Sequence, residues 1–202
     1  MKGEEIEVKL YVRNLANIQS RLLDLGASLL EPRAHENNLR YDLPDGNLRA
    51  GKRVLRLRHS GDARLTYTGP AEERDGVMAR TEIEFTVGDF DAAKQFLASL
   101  GYVEVAVYEK FRTTYALDST HIMLDELPYG NFVEIEGPDT ASIRALAVRL
   151  NLDFEAAIPA SYLALFERLC TDRALDPSRL TFESLNHIHI TPEMLRVRPA
   201  DE

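Results

Sequence analysis

Apolar and polar residues alternate with a period of two through much of this chain, the pattern of strands that bury one face. In 5–12, Ile6, Val8, Leu10 and Val12 share one face, and Glu5, Glu7 and Lys9 share the other. The same alternation predicts strands over 39–43, 54–59, 64–68, 80–87, 108–117, 121–125 and 131–136. A repeat near 3.6 predicts helices over 16–30, 91–100, 141–150 and 160–169. Asp89 or Asp91 suits the cap of the second helix and Gly101 its stop. Pro44-Asp45-Gly46-Asn47 and Leu127-Pro128-Tyr129-Gly130 read as turns. The apolar faces Ile6/Val8/Leu10, Ile83/Phe85/Val87 and Val133/Ile135 offer the helices a surface to cover.

One unit recurs. Glu5-Ile6-Glu7-Val8 leads into a helix that ends at Gly26, then a strand with Arg40 and Tyr41. Glu82-Ile83-Glu84-Phe85 leads into a helix that ends at Gly101, then a strand with Lys110, Arg112 and Tyr115. The glycine follows the strand start by 21 residues in one copy and 19 in the other. Such spacing predicts a strand–helix–strand unit used twice. Beyond it, 171–202 is expected to form a C-terminal extension packed on a domain of 1–170. Asp176-Pro177-Ser178 could open a short helix there, and Pro192 and Pro199 argue against long regular structure. His187 and His189 alternate like two metal ligands, but no third stands near, so a loop is the better reading.

Composition narrows the class. With 202 residues, 45% hydrophobic and 28% charged, the chain can bury a core and is not a disordered polymer. No apolar run nears the roughly 20 residues of a membrane helix, and the first residues turn acidic with no apolar signal segment. A single cysteine, Cys170, can form neither an internal disulfide nor a zinc cluster, so a cytoplasmic location is expected. The net charge of −9 disfavours duplex nucleic acid, which is held by phosphate neutralisation. A homodimer is left open.

The polar strand faces are unusually ionic. Glu5, Glu7, Glu82, Glu84, Asp125, Glu134 and Glu136 are matched by Lys9, Arg40, Arg56, Arg58, Arg80, Lys110 and Arg112. For one strand, a solvated face of ion pairs explains this well. For six or more strands it does not, because helices must cover the apolar side. If the sheet curls shut, the ionic faces line its lumen, and a barrel of this size can hold one small ligand. Unpartnered charges there would be prohibitive, so the lumen must be wet, internally paired and filled by something charged. Arg and Lys grip phosphate oxygens, whereas carboxylates hold Mg²⁺ or Mn²⁺, which bridges them to substrate phosphates. Both sets in one cavity fit a metal–polyphosphate complex.

In order, these residues resemble the CYTH superfamily, which includes class IV adenylyl cyclases and thiamine-triphosphatases. Glu5-Ile6-Glu7-Val8-Lys9 matches its opening ExExK motif. Agreement continues through Arg40-Tyr41-Asp42, Leu55-Arg56-Leu57-Arg58, Leu65-Thr66-Tyr67-Thr68-Gly69-Pro70 and Arg80-Thr81-Glu82-Ile83-Glu84. It runs on through Lys110-Phe111-Arg112, Leu124-Asp125-Glu126, Gly130 to Pro138, and Ser161-Tyr162, so that about 4–170 is covered. The resemblance implies an α+β fold: an eight-stranded antiparallel closed β-barrel, a triphosphate tunnel, flanked by helices. It implies that Glu5, Glu7, Glu134 and Glu136 hold Mg²⁺ or Mn²⁺ with Asp125 close by. Lys9, Arg40, Arg56, Arg58, Lys110 and Arg112 would grip the triphosphate. Arg80, Glu82 and Glu84 would line the same tunnel, Arg80 among its phosphate-facing cations. Tyr162 is similar to a tyrosine of the cyclases, although a core aromatic fits that position equally well.

One position departs from the pattern. Many members carry Lys two residues before Gly-Pro, where this chain has Thr68. Loss of that cation should loosen the hold on one phosphate or on leaving pyrophosphate, and Arg64, on the same strand face, could compensate. The departure weighs against efficient cyclisation more than against triphosphate binding. A triphosphatase in which Glu7, Glu134 and Lys9 serve the reaction is therefore the leading expectation. Adenylyl cyclase is the alternative, and a non-catalytic polyphosphate-binding module the third.

Overall fold

The computed structural model describes residues 4–74, 77–171 and 173–202; the side chains of Glu4, Glu5 and Arg74 lie outside the described set. The chain runs β1 (Glu4–Val12), α1 (Leu15–Asp24), β2 (Ser28–Asp42), α2 (Asn47–Ala50), β3 (Val54–Ser60), β4 (Asp62–Thr68), β5 (Glu72–Arg74) and β6 (Val77–Val87). It continues through α3 (Phe90–Ser99), β7 (Val103–Leu117), β8 (Thr120–Leu127), β9 (Gly130–Glu136), α4 (Thr140–Arg149), a 3₁₀ turn (Phe154–Ala156) and α5 (Tyr162–Thr171). The tail adds β10 (Arg179–Leu180), α6 (Phe182–Leu185) and α7 (Pro192–Leu195).

Eight strands form a ring in the order β1-β9-β8-β7-β2-β3-β4-β6, closed by β6 pairing with β1. Every pair around it is antiparallel. The α+β fold with an antiparallel ring of eight strands is thus as the family resemblance implied. The recurring unit is also visible in the topology, as β1-α1-β2 and β6-α3-β7, which are neighbours in the ring. Their first strands pair with one another, and so do their 15-residue last strands. Each helix is started by a side-chain cap, Asn14 accepting from Asn17 N and Asp89 from Ala92 N. Each is followed by a glycine with positive φ, Gly26 at 81° and Gly101 at 86°, a backbone state that favours a residue without a Cβ.

The helix predicted over 16–30 ends at Asp24, and 28–30 already belong to β2. The strand predicted over 39–43 is accordingly far longer. The cause is physical: the first six residues of β2 are exposed, Leu29 and Leu30 by about half, so no alternation marks them. β7 likewise starts earlier than expected, at Val103, and its first three residues are exposed. The short tail helix opens at Phe182 with Thr181 as cap, whereas Asp176 instead accepts from Ser178 in a turn.

α1 packs toward β9 and α3 toward β3, so each unit's helix covers the other half's hairpin. On one side Val8, Leu10, Val12, Ile18, Leu22, Val133, Ile135, Ile143 and Leu146 form a core beneath α1 and α4. On the other, Leu39, Tyr41, Leu55, Leu57, Leu48 and Leu97 form a smaller one beneath α3. Here one expectation fails. Ile83 and Phe85 are 46% and 54% exposed, so β6 has no cover matching that on β1. A third core, built on Tyr11, Phe132, Tyr129, Leu165 and Phe166, takes in Leu180, Leu185 and Leu195 from the tail. The tail is tied further by Ala200 N donating to Tyr11 O, and by Asp201 accepting from the backbone N–H groups of Arg13 and Asn14. No helix among the described residues is long and apolar enough to cross a membrane.

Candidate active site

Strand alternation turns the ionic residues inward. Register places Lys9 opposite Glu134, Glu7 opposite Glu136, Arg40 opposite Arg56, Arg58 opposite Arg64, and Arg112 opposite Asp125. Inside the ring lies a cavity of about 210 Å³, with Glu7, Lys9, Arg40, Arg56, Arg80, Glu82, Lys110, Glu134 and Tyr162 among its walls and 158–163 across one side. A second, of about 310 Å³, is lined by Arg58, Glu84, Arg112, Glu136 and His121 among others. Both share Glu7, Arg56, Arg80 and Glu82, so one lumen continues from the first into the second.

The charges are arranged as ion pairs. Lys9 Nζ lies 2.7 Å from Glu134, which Arg112 also contacts. Arg80 donates to Glu7 at 2.8 Å. Arg58 sits 3.4 Å from both Glu36 and Glu84, and Arg56 3.7 Å from Glu84. Burial alone would drive these groups neutral; the partners reverse that. Burial lowers the Lys9 pKa, but Glu134 and Glu7 carry it above its usual value. Burial likewise raises Glu134, yet Lys9 and Arg112 hold it well below the carboxylate range. Tyr108, buried beside Arg56 and Lys110, is lowered against the upward push of burial. Tyr162 is pushed well up by burial and by the Asp125 and Glu134 carboxylates.

Two members of the set stand apart. The Arg40 guanidinium makes no hydrogen bond or ion pair with any described residue, and burial together with Arg56 and Arg49 lowers its pKa. The Glu82 carboxylate has Thr68 Oγ1 at 3.5 Å and no cation within ion-pairing distance among the described residues.

Asp125, expected beside a metal, lies fully buried behind the wall. Its oxygens accept from Lys110 at 3.0 Å, Arg112 Nε at 2.6 Å and Tyr162 Oη at 2.7 Å. That geometry suits a support for three lumen side chains. Tyr162 is both a core aromatic and a cavity wall, with Lys9 Nζ 4.4 Å from its ring centre. Glu5 pairs with Arg80 through the backbone, while its side chain lies outside the described residues. Alternation also brings in residues not anticipated: Glu36, 3% exposed beside Lys110 and Arg58, and Asn38, 0% exposed with neither amide atom bonded. Both precede the strand segment that the pattern revealed, yet the spacing 36, 38, 40 would have found them.

Among the described residues no three His, Cys, Asp or Glu side chains converge on a point suited to a metal ion. The donor set nonetheless fits Mg²⁺ or Mn²⁺ brought with phosphate. Glu7 and Glu136 stand directly opposite on β1 and β9, so that their two carboxylates can share one cation. Mg²⁺ is commonly held by one or two carboxylates and completed by substrate phosphates.

A closed antiparallel ring whose lumen is walled by paired carboxylates and guanidinium groups defines a tunnel protein with a densely ionic interior. The CYTH domain profile matches residues 3–149, and the chain belongs to the CYTH family. Among solved structures it is similar to the PH1012 protein of Pyrococcus horikoshii, with 27% identity over 78% of this chain and 96% of that one, TM-score 0.67. It is also similar to a candidate adenylate cyclase from Vibrio parahaemolyticus, with 22% identity, 80% and 97% coverage and TM-score 0.71. A candidate adenylyl cyclase from Hippeastrum with a dominant triphosphatase activity shares the fold at 17% identity, 86% and 98% coverage and TM-score 0.63. Comparison with curated proteins finds no match.

Proposed function

We propose that this protein is a divalent-metal-dependent triphosphatase that binds a linear triphosphate along the tunnel. One observation supports this above the others: cations from five strands face one lumen, each except Arg40 already held by a carboxylate or phenol. An entering triphosphate exchanges those partners for its own oxygens, so binding requires little reorientation of the guanidinium forks. Glu7, Glu136, Glu5 and Glu134 are the residues to hold Mg²⁺ or Mn²⁺. When bound, the ion supplies charge neutralisation at the terminal phosphoryl group and a more acidic water. Arg56, Arg80, Lys110 and Arg112 stabilise charge that builds on the phosphoryl oxygens as the bond to the leaving phosphate breaks, while Arg58 grips the triphosphate equally before and during that step. Lys9, anchored to Glu134, orients the attacking water. Asp125 and Tyr162 position Lys110 and Arg112.

The cyclase alternative keeps its support in the Thr66 to Pro70 run and in the fold shared with cyclase candidates. Thr68 at the position of a usual lysine favours hydrolysis. Incubation with ATP, inorganic triphosphate and thiamine triphosphate plus Mg²⁺ or Mn²⁺ decides among the readings. Orthophosphate release is the expected product; cyclic AMP with pyrophosphate would replace the hydrolase reading by a cyclase. Stabilisation of the fold by ligand without turnover would make the tunnel a binding module.

A further inference from the structure

Beyond the tunnel mouth lies a larger cavity, about 740 Å³, that shares Arg40, Val54, Ser161 and Leu163 with the 210 Å³ chamber. Its volume is that of a site for an organic group, not for one more phosphate. In a chain of net charge −9, it gathers Arg49, Lys52 and Arg53 beside Arg40. Opposing acids are few. Glu167 pairs with Arg49 at 3.0 Å. Asp42 is spent on the backbone N–H groups of Leu43, Leu48 and Arg49, which fixes the turn that carries the cations. Arg53 is held in place by donating to Asn47 O at 3.1 Å and lies across Gly51, its Nε 2.7 Å from where a Cβ would stand. The opposite wall is apolar, and Val103 and Val105 within it are 43% and 44% exposed.

We propose that this vestibule seats the organic end of the tunnel's substrate and that this end carries a phosphate of its own. The inference rests on the triphosphate reading of the tunnel. Arg49, Lys52 and Arg53 meet the distal phosphate, as forked guanidinium groups and a flexible ammonium do elsewhere. The apolar wall covers the group that links the two phosphate ends. Arg40, which makes no hydrogen bond or ion pair with any described residue and touches both cavities, bridges the two anions.

Calorimetric titration without metal, so that no turnover intervenes, tests this with four probes. These are inorganic tripolyphosphate, inorganic tetrapolyphosphate, ATP, and ATP bearing a further phosphate on its ribose 3′-oxygen. The 3′-phosphorylated nucleotide should bind about tenfold or more tightly than ATP, the worth of one charge-assisted contact. Tetrapolyphosphate should gain less than about threefold over tripolyphosphate. In Arg49→Ala/Lys52→Ala, both exposed positions, the preference for the 3′-phosphate should fall to parity, whereas Arg58→Ala should weaken all four probes and keep that ratio. Equal affinity for ATP and its 3′-phosphate overturns the inference and leaves the tunnel reading standing. An equal gain with tetrapolyphosphate overturns the organic part of it. Failure of tripolyphosphate to bind overturns the tunnel reading and the inference together.

Discussion

The two halves of the ring share a backbone plan and differ in what they project from it. In the first half the hairpin β3–β4 turns Arg56, Arg58 and Arg64 inward. In the second, β8–β9 turns in Asp125, Glu134 and Glu136. One topological device, used twice, sets a basic wall against an acidic one. Outside, the halves differ again: β1 is covered by α1 and α4, while β6 shows Ile83 and Phe85 to solvent. The difference teaches that chemistry and stability are divided unequally between two copies of one motif. The first half joins the basic wall to a lead strand under helices, and the second joins the acidic wall to a lead strand open to solvent.

The sharpest way to break that division is to remove one charge from each wall. Under the proposed function, Glu134→Ala should lower kcat for triphosphate hydrolysis by about 100-fold to 1,000-fold, since it takes away the anchor of Lys9 and a carboxylate proposed to hold the metal. Arg58→Ala should chiefly raise KM, by about tenfold to 100-fold, as expected for a charge-assisted contact kept from ground state to transition state. Steady-state kinetics on tripolyphosphate read both, and equal losses of kcat in the two variants would erase the distinction.

The outer faces differ in stability. Leu10, 0% exposed in the large core, should cost about 2–5 kcal/mol when cut to Ala. Phe85→Ala should cost less than about 1 kcal/mol, because more than half of that ring already meets solvent. Urea unfolding midpoints compare the two, and similar losses would mean that the β6 face is covered in solution.

This asymmetry also explains what the sequence could reveal. The ring's charged positions were legible because antiparallel strands with one buried face alternate strictly, and fourteen ionic residues on one side of many strands leave only the lumen to occupy. The doubled unit was legible from its glycines. Residues 28–36 were not, because β2 enters the sheet with both faces exposed and two adjacent leucines imitate a helix. Glu36 and Asn38 were lost with it. Asp125 could be placed on the lumen face but not behind its neighbours, since alternation fixes direction and says nothing of depth. The bare face of β6 was equally hidden, as an apolar strand face reads the same whether or not a helix covers it.

Glu36 yields a prediction in pH. Burial pushes its pKa up, but Lys110, Arg112 and Arg58 outweigh that and hold it at about 2, against 4.5 for a free glutamate. A lowered pKa in the folded state contributes stability above the unfolded value, and this is lost as pH falls from about 4.5 toward 2. For Glu36 the contribution is on the order of 3 kcal/mol. Glu36→Gln should therefore show a shallower loss of stability over that window than the unaltered protein, in urea titrations at stepped pH. Parallel curves would show that Glu36 is not held by the basic wall.

The smallest expected effect comes from restoring a cation to the first half. Thr68 is 6% exposed, pairs across β4 and β6 with Glu82, and faces the 210 Å³ chamber. Arg64 does not fill the gap: it donates to Asp62 at 3.0 Å and Glu84 at 3.1 Å and lines the other cavity. Four residues along a strand put it about 13 Å from Thr68. A lysine at 68 would stand beside Glu82, the lumen carboxylate without a cation among the described residues, and extend the basic wall toward the chamber. Thr68→Lys should raise kcat/KM for tripolyphosphate by about threefold to tenfold, within the range of one added charge-assisted contact. A fall in kcat/KM would mean that the new ammonium is spent on neutralising Glu82, and that the open carboxylate itself serves the reaction.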